Sequence, residues 1–255
     1  SGNAEKFSYG ASSADAIFFT HAHADHIGLF PKLVREGFNG RAFATPPTKA
    51  LMPIMLLDTA HLMADEASRR GENPPYRIED ILPAASRVEE LGYHSEVTLS
   101  PDVSVTLYNA GHIIGSALVL VKAFGTKILF TGDLGRVPSI LVPEREVPED
   151  VDYLVVESVY GNRIHGSVEE SRALLLTTIT DIENKKGVLL IPAFSLERTQ
   201  IILSSIDSGI TEKKILSIPV FMDSPLAAKV TDVYRHYSAF LRDEVQKRLE
   251  SGDDP

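Results

Sequence analysis

The sequence contains no cysteine in any of its 255 residues. This absence excludes a disulfide framework, and it also excludes thiolate ligands for a metal ion. Any metal that the chain binds must therefore be held mainly by His, Asp or Glu side chains. A chain without thiols also suits a reducing compartment.

Long apolar runs are lacking as well. A membrane-spanning helix needs roughly 18 continuous apolar residues. The longest candidate run, residues 51–60, is interrupted by Pro53 and Asp58. Residues 1–10 show no basic start followed by an apolar block, so no signal peptide is visible. From these absences we expect a cytoplasmic protein with no membrane partner.

Basic residues are outnumbered, since 25 Lys and Arg against 35 Asp and Glu give a formal net charge of −10. A generic nucleic-acid coat is normally basic, so the charge disfavours that class of protein. An enzyme that binds phosphates at one site is still allowed, because bound divalent cations neutralise negative charge inside a site. With 44% hydrophobic residues, the chain can bury a core as one large domain or two smaller ones.

The first part of the chain is predicted to contain strands covered by helices. An apolar run predicts a buried strand at 16–20, and helical spacing predicts helices over 27–36 and 78–90. A longer helix is predicted over 47–70, with Thr45 as its cap and Gly71 as its stop. Further strands are predicted at 97–99, 103–107, 117–122, 127–131 and 151–157, with a hairpin about Gly125.

From about Gly161 onward the pattern changes to alternating helices and strands. This alternation is typical of an α/β domain. We therefore predict two domains, over residues 1–160 and 161–255. The predicted helices cover 168–184, 196–206, 226–237 and 240–250, and the predicted strands cover 188–191 and 220–222.

The strongest chemical signal is a cluster of three His and one Asp within the six positions from His21 to His26. Imidazole and carboxylate are the usual zinc ligands when no thiolate is available. In an extended loop, His21 and His23 project to the same side, so both can reach one metal ion. Asp25 and His26 lie where the chain turns into the next helix, and they can serve a second ion nearby.

Two further candidate ligands follow apolar strands in glycine-rich loops. His112 has Gly111 and Gly115 close by, which suits a tight loop that presents a side chain. Asp133 follows Gly132 at the end of another strand. Each of its two carboxylate oxygens can take one ion, and a bridging carboxylate holds paired ions roughly 3.5–4 Å apart.

Glu157 ends an apolar strand and precedes the segment 158–163. A carboxylate at a strand end can orient a ligand His or shuttle a proton. Two metal ions sharing a hydroxide would supply a strong nucleophile and neutralise charge in the transition state. The same site can hydrolyse a thioester, a lactam or a phosphodiester, so the ligands alone do not select the substrate.

The segment Thr20 to His26 resembles the second signature of the metallo-β-lactamase superfamily. Gly111-His112 and Thr131-Gly132-Asp133 look like its third and fourth signatures. The segment 157–163 is similar to the acidic motif that opens the β-CASP branch. Two further segments, 191–200 and 222–227, resemble parts of the domain inserted in that branch. The resemblance implies a partial αββα sandwich followed by the start of an inserted α/β domain.

The resemblance also implies a role for each candidate ligand. His21, His23 and His112 would bind one zinc ion. Asp25 and His26 would bind the other, with Asp133 bridging the two ions. Two Zn²⁺ are therefore expected, although Mn²⁺ or Fe²⁺ would fit the same His and Asp set.

Members of the β-CASP branch act on nucleic acids, and this chain most resembles the RNA-processing members. The implied reaction is hydrolysis of RNA phosphodiester bonds by a hydroxide that bridges the two metals. Asp25 and Glu157 are the candidate catalytic residues. Ser195 and Arg198 match a segment that borders the substrate cleft, where Arg198 would contact a phosphate. A homodimer of the full-length protein is also expected, since many relatives pair.

Relative to the family pattern, the chain is expected to lack strands before Thr20 and His motifs after the inserted domain. Two alternative functions stay open. One is a hydrolase of the same fold that acts on a thioester or lactam, although such enzymes normally lack the inserted domain. The other is a metal-free scaffold paralogue, which normally would have lost ligands that are present here.

Overall fold

The computed structural model describes residues 5–251. By their contacts these residues divide into two compact units. The first unit runs up to Arg136 and includes Glu144–Glu157, and the second contains Val137–Pro143 and the residues from Ser158 onward. The domain boundary predicted at residue 160 stays a prediction. Among the described residues, no helix is both long and apolar enough to cross a membrane.

The first unit contains a three-stranded parallel sheet, in which β1 (Ala16–Phe18), β2 (Arg41–Ala44) and β3 (Val88–Glu90) lie side by side in that order. The register pairs Ile17 with Ala42, and Ala42 with Val88. Four helices accompany these strands along the chain. In chain order the elements are β1 (Ala16–Phe18), α1 (Ala24–Ile27), α2 (Phe30–Arg35), β2 (Arg41–Ala44), α3 (Pro46–Arg70), α4 (Ile81–Ala85) and β3 (Val88–Glu90).

A second, five-stranded sheet follows in the order β4 to β8. Its first four strands are antiparallel, and β8 pairs in parallel with β7. The predicted hairpin is confirmed, because Phe124 and Gly125 both have positive φ, as a tight two-residue turn requires. The strands are β4 (Glu96–Ser100), β5 (Val103–Asn109), β6 (Ala117–Ala123), β7 (Thr126–Phe130) and β8 (Tyr153–Val155).

Apolar side chains on β6 pack on both faces of the five-stranded sheet. Ala117 and Val119 belong to a buried cluster that includes Phe43 of β2. Leu118 and Leu120 point to the opposite face and join a separate cluster with Leu129. This alternation follows from the two-residue period of a strand. The ends of β1, β5 and β7, which carry the candidate ligands, are therefore fixed by packing.

The boundaries predicted for the long helix, 47–70, are confirmed to within one residue by α3. The Thr45 side chain accepts a hydrogen bond from the Thr48 backbone N–H at 3.4 Å, which caps the first turn. Gly71 ends the helix in the left-handed conformation, with φ 68°. Local sequence therefore sets both ends of this helix.

Two helix predictions in the first unit are partly wrong. The helix predicted over 27–36 is split into α1 and α2, because Pro31 lacks the N–H that a continuous helix would need. The helix predicted over 78–90 consists of a 3₁₀ turn and α4, and its last residues form β3. Parallel pairing with β2 there outweighs the local helical pattern.

The second unit packs helices around a cluster of Leu176, Ile179, Ile206 and Ile215. The strands predicted over 188–191 and 220–222 are wrong, because neither segment pairs with another strand in the part of the chain that the structure describes. Because these segments form no backbone hydrogen bonds to a strand, their side chains do not become part of a sheet face. The helices are α5 (Val168–Asn184), α6 (Arg198–Thr211), α7 (Pro225–His236) and α8 (Asp243–Glu250).

Candidate metal centre

The cluster predicted from His21 to His26 lies directly after β1. His21 and His23 belong to the loop, and His23 has the extended backbone of a helix cap. Asp25 and His26 lie in the short helix α1. The main chain of Thr20 is fixed as well, since its carbonyl accepts a hydrogen bond from the Ala117 N–H at 2.6 Å. The loop is therefore attached to the first residue of β6.

Three His and one Asp from three different loops meet at one point. One ligand atom from each of His21, His23, His112 and Asp133 lies within 4.8 Å of all the others. His23 Nδ1 lies 3.0 Å from His21 Nε2 and 3.2 Å from His112 Nε2. Two nitrogens bound to one tetrahedral zinc lie about 3.3 Å apart. The spacing and the donor set therefore fit a metal site.

The two oxygens of Asp133 face different groups of side chains. Oδ2 lies 3.7 Å from both His21 Nε2 and His112 Nε2. Oδ1 lies 3.3 Å from His26 Nε2, which in turn lies 3.5 Å from Asp25 Oδ2. Asp25, His26 and Asp133 thus form a second group of donors beside the first. A carboxylate shared between two donor groups is the arrangement that a bridging ligand needs.

Lowered pKa values hold His21, His23 and His112 in the neutral form that binds metals. Burial and the neighbouring imidazoles lower the pKa of His21 far below its ordinary value. Burial, followed by the charge of His112, lowers the pKa of His23 to about 4. Burial also lowers the pKa of His112, against the opposing charge of Asp133. At neutral pH these rings therefore offer lone pairs without first losing a proton.

Thr20 is a residue of this centre that the sequence prediction did not identify. Its hydroxyl oxygen lies 3.1 Å from His21 Nδ1 and 3.2 Å from His26 Nδ1. If the Nε2 atoms of both rings bound a metal, the Nδ1 atoms would carry the protons and would donate to Thr20. One hydroxyl therefore orients one His in each donor group. Its position directly before His21 was the only signal in the sequence.

Gly132 is needed for Thr20 to occupy this place. Its φ is +52°, and a Cβ built on it would lie 2.6 Å from Thr20 Cβ. Any larger residue would therefore displace the hydroxyl that orients His21 and His26. The glycine before Asp133 acts on the centre through packing as well as through the backbone turn.

The loop of His112 is held by hydrogen bonds at both ends. The Ser116 hydroxyl accepts from the backbone N–H of His112 at 3.0 Å and of Ile113 at 3.2 Å. The Gly115 carbonyl accepts from the hydroxyls of Thr45 and Thr48, which begin α3. These contacts fix the direction of the His112 side chain before any metal is bound.

Glu157 lies beside the centre and contacts its backbone. Its Oε1 accepts a hydrogen bond of 2.7 Å from the N–H of Leu134, the residue that follows Asp133. Its own N–H donates to the Thr131 hydroxyl at 3.3 Å. The carboxylate therefore stabilises the turn that carries Asp133, and its charge acts to raise the pKa of His112.

Ser195 and Arg198 lie in the second unit. The Ser195 hydroxyl is 3.4 Å from that of Ser224, which caps α7 by accepting from the Ala227 N–H. Arg198 is the first residue of α6 and is exposed. The structure thus brings together six of the predicted residues at the metal cluster, with Glu157 beside them.

Family comparisons match both parts of the chain. A metallo-β-lactamase superfamily domain matches residues 3–135, more than half of the chain, and a β-CASP domain matches residues 199–254. Ribonuclease TTHA0252 of Thermus thermophilus is 31% identical over 253 residues, which are 99% of this chain and 56% of that protein.

Two eukaryotic relatives are similar to nearly the same extent. Endoribonuclease ysh1 of Schizosaccharomyces pombe is 33% identical over 92% of this chain. Cleavage and polyadenylation specificity factor 73 of Drosophila melanogaster is 31% identical over 94% of it. The chain spans 31% and 35% of the lengths of these two proteins.

The two sheets with their helices and the two matched domains agree with the α/β fold class that the sequence predicted, which is confirmed. The ordered His and Asp motifs, the cluster that they form and the domain matches all point to one family. The chain belongs to the metallo-β-lactamase superfamily and, within it, to the β-CASP branch.

Proposed function

We propose that this chain provides the metal centre of a zinc-dependent ribonuclease that hydrolyses RNA phosphodiester bonds. The observation that carries the proposal is the division of the Asp133 oxygens between two groups of donors. The relatives named as ribonucleases and endoribonucleases support RNA as the substrate. Because the chain spans 56% or less of these relatives, the activity is proposed for the protein of which it forms part.

Each donor group would hold one ion. His21, His23 and His112 surround the first position, and Asp25 with His26 flanks the second. Asp133 would contribute one oxygen to each position, since Oδ2 faces His21 and Oδ1 faces His26. All these donors are nitrogen or carboxylate oxygen, which zinc accepts, as do manganese and iron.

When bound, two zinc ions lower the pKa of a water and neutralise charge on phosphate oxygens. The residues of the chain prepare the site for this chemistry. Thr20 orients His21 and His26, and Glu157 holds the turn of Asp133. The Asp25 carboxylate is 78% exposed, so it can accept a proton from an attacking water at the solvent side.

The second unit would contribute contacts to the RNA backbone. We propose that residues 161–255 belong to a β-CASP domain, after a metallo-β-lactamase domain over 1–160. The exposed guanidinium of Arg198 and the hydroxyl of Ser195 suit phosphate oxygens. Such local contacts are compatible with the net charge of −10, because only the binding surface needs positive charge.

The test is cleavage of a labelled RNA by the protein with and without added zinc, using His23→Ala as the inactive variant. His61→Ala is the matched control, since His61 is exposed on α3 and lies outside the metal cluster. We expect zinc-dependent cleavage by the wild type and the control, and none by His23→Ala. Equal cleavage by both variants would refute the proposal, as would turnover of a thioester but not of RNA.

A further inference from the structure

Glu197 has a backbone conformation that residues other than glycine seldom adopt. Its φ is +69° and its ψ is −55°. The N–H of Arg198 donates to the Leu196 carbonyl at 3.0 Å, two residues back. These values define a γ-turn with a positive φ at its centre, a rare and strained form. The strain lies immediately before the first residue of α6.

The side chain of Glu197 is bonded to a neighbouring helix and does not cap its own. It makes no capping hydrogen bond to α6. Its Oε2 instead accepts a hydrogen bond from the hydroxyl of Tyr234, a buried residue of α7. The turn is therefore tethered to α7 through the Glu197 side chain.

A second connection between the same two helices lies alongside. The Gln200 side-chain amide donates to the Ser195 carbonyl at 3.1 Å and to the Thr231 hydroxyl at 3.0 Å. Together with the 3.4 Å contact between the Ser195 and Ser224 hydroxyls, these bonds join the starts of α6 and α7. The strained turn at Glu197 lies in the chain between Ser195 and Arg198.

We propose that Glu197 is a positioning residue for RNA binding. Its carboxylate, tethered to Tyr234, maintains the strained turn that sets the directions of Ser195 and Arg198 toward the RNA backbone. The inference rests on the proposed function, because it assumes that these two side chains contact phosphate. Glu197 itself touches no RNA in this account and acts through the turn.

Three substitutions of Glu197 distinguish the effect of its hydrogen bond to Tyr234 from the effect of its negative charge. Glu197→Gln keeps an oxygen that accepts from Tyr234, so the turn is retained. Glu197→Gly loses the tether, but glycine adopts positive φ without strain. Glu197→Ala loses the hydrogen bond to Tyr234, while alanine at this position would still be strained by the positive φ. A role in positioning therefore predicts that only Glu197→Ala weakens binding.

The measurement is the dissociation constant for a labelled single-stranded RNA, by fluorescence anisotropy with the metal-loaded protein over a series of salt concentrations. We expect Glu197→Gln and Glu197→Gly to bind within about twofold of the wild type, and Glu197→Ala to bind about tenfold more weakly. Tyr234→Phe should also weaken binding, but not when it is combined with Glu197→Gly. Circular dichroism and urea unfolding check that each variant folds.

Several outcomes would overturn the inference. If all three Glu197 variants lose affinity equally, the charge matters and the tether does not. If Tyr234→Phe has the same effect with and without Glu197→Gly, the two residues are not coupled. Wild-type binding that Arg198→Ala leaves unchanged at every salt concentration would instead refute the phosphate contact in the proposed function.

Discussion

Replacing the Thr20 hydroxyl by a methyl group, in Thr20→Val, should weaken both metal positions by different amounts. With zinc bound at Nε2, the hydroxyl would accept from His21 Nδ1 and His26 Nδ1, which lie 3.1 and 3.2 Å from it. His21 is fully buried, so its N–H would lose its partner at a cost of about 1–3 kcal/mol. His26 is 26% exposed, so water can replace the hydroxyl there at a smaller cost.

These free-energy costs correspond to losses of zinc affinity that can be measured. About 1–3 kcal/mol corresponds to a loss of roughly 5- to 150-fold in zinc affinity at the position of His21. At the position of His26 we expect a loss of no more than about fivefold. Competition for zinc with a chromophoric chelator resolves two binding steps of this kind. Thr20→Ser is the matched control, because it keeps the hydroxyl and should retain both affinities.

If Thr20→Val binds zinc as tightly as Thr20→Ser in both steps, the hydroxyl does not support the metal ligands. If the two steps weaken equally, the difference in burial between His21 and His26 has no effect on zinc affinity. Nitrogen-15 NMR of the His rings provides an independent check. The zinc-loaded wild type should show protons on Nδ1 of both residues.

Three further predictions concern residues around the centre and the second unit. Gly132→Ala should lower stability and zinc affinity together, because its Cβ would lie 2.6 Å from Thr20 Cβ, and metal analysis with urea unfolding would show this. Glu157→Ala should cost about 1–3 kcal/mol in urea unfolding because the Leu134 N–H loses its acceptor, whereas Glu157→Gln should not. Burial raises the pKa of Glu197 from 4.5 to about 7 against the opposing effects of Tyr234 and Arg198, so the folded protein binds the proton more tightly. Its contribution to stability should therefore fall by about 1–3 kcal/mol as pH rises from 4.5 to 7, and Glu197→Gln should remove that fall in thermal unfolding.

The metal cluster could be predicted because its donors follow apolar strands in short, polar, glycine-rich segments. His21, His112 and Asp133 each follow a strand, and strands that pack together bring their ends into proximity. The ends of α3 were also predictable, since Thr45 and Gly71 act on their own helix. In both cases the information is local to the sequence.

Features that depend on distant partners could not be predicted in the same way. The role of Thr20 requires that Gly132 pack against it, although the two lie 112 positions apart in sequence. The Glu197 side chain accepts a hydrogen bond from Tyr234, which belongs to another helix. The apolar runs at 188–191 and 220–222 resemble strands, but strand formation requires a partner that the local pattern does not specify.

The most direct test of the central claim is a titration of the metal-free chain with Co²⁺, followed by optical absorption. If Asp133 joins two donor groups, the wild type should bind in two steps, Asp25→Ala should lose only the second, and Asp133→Ala should weaken both. A single step in the wild type, or two unchanged steps in Asp133→Ala, would contradict the account.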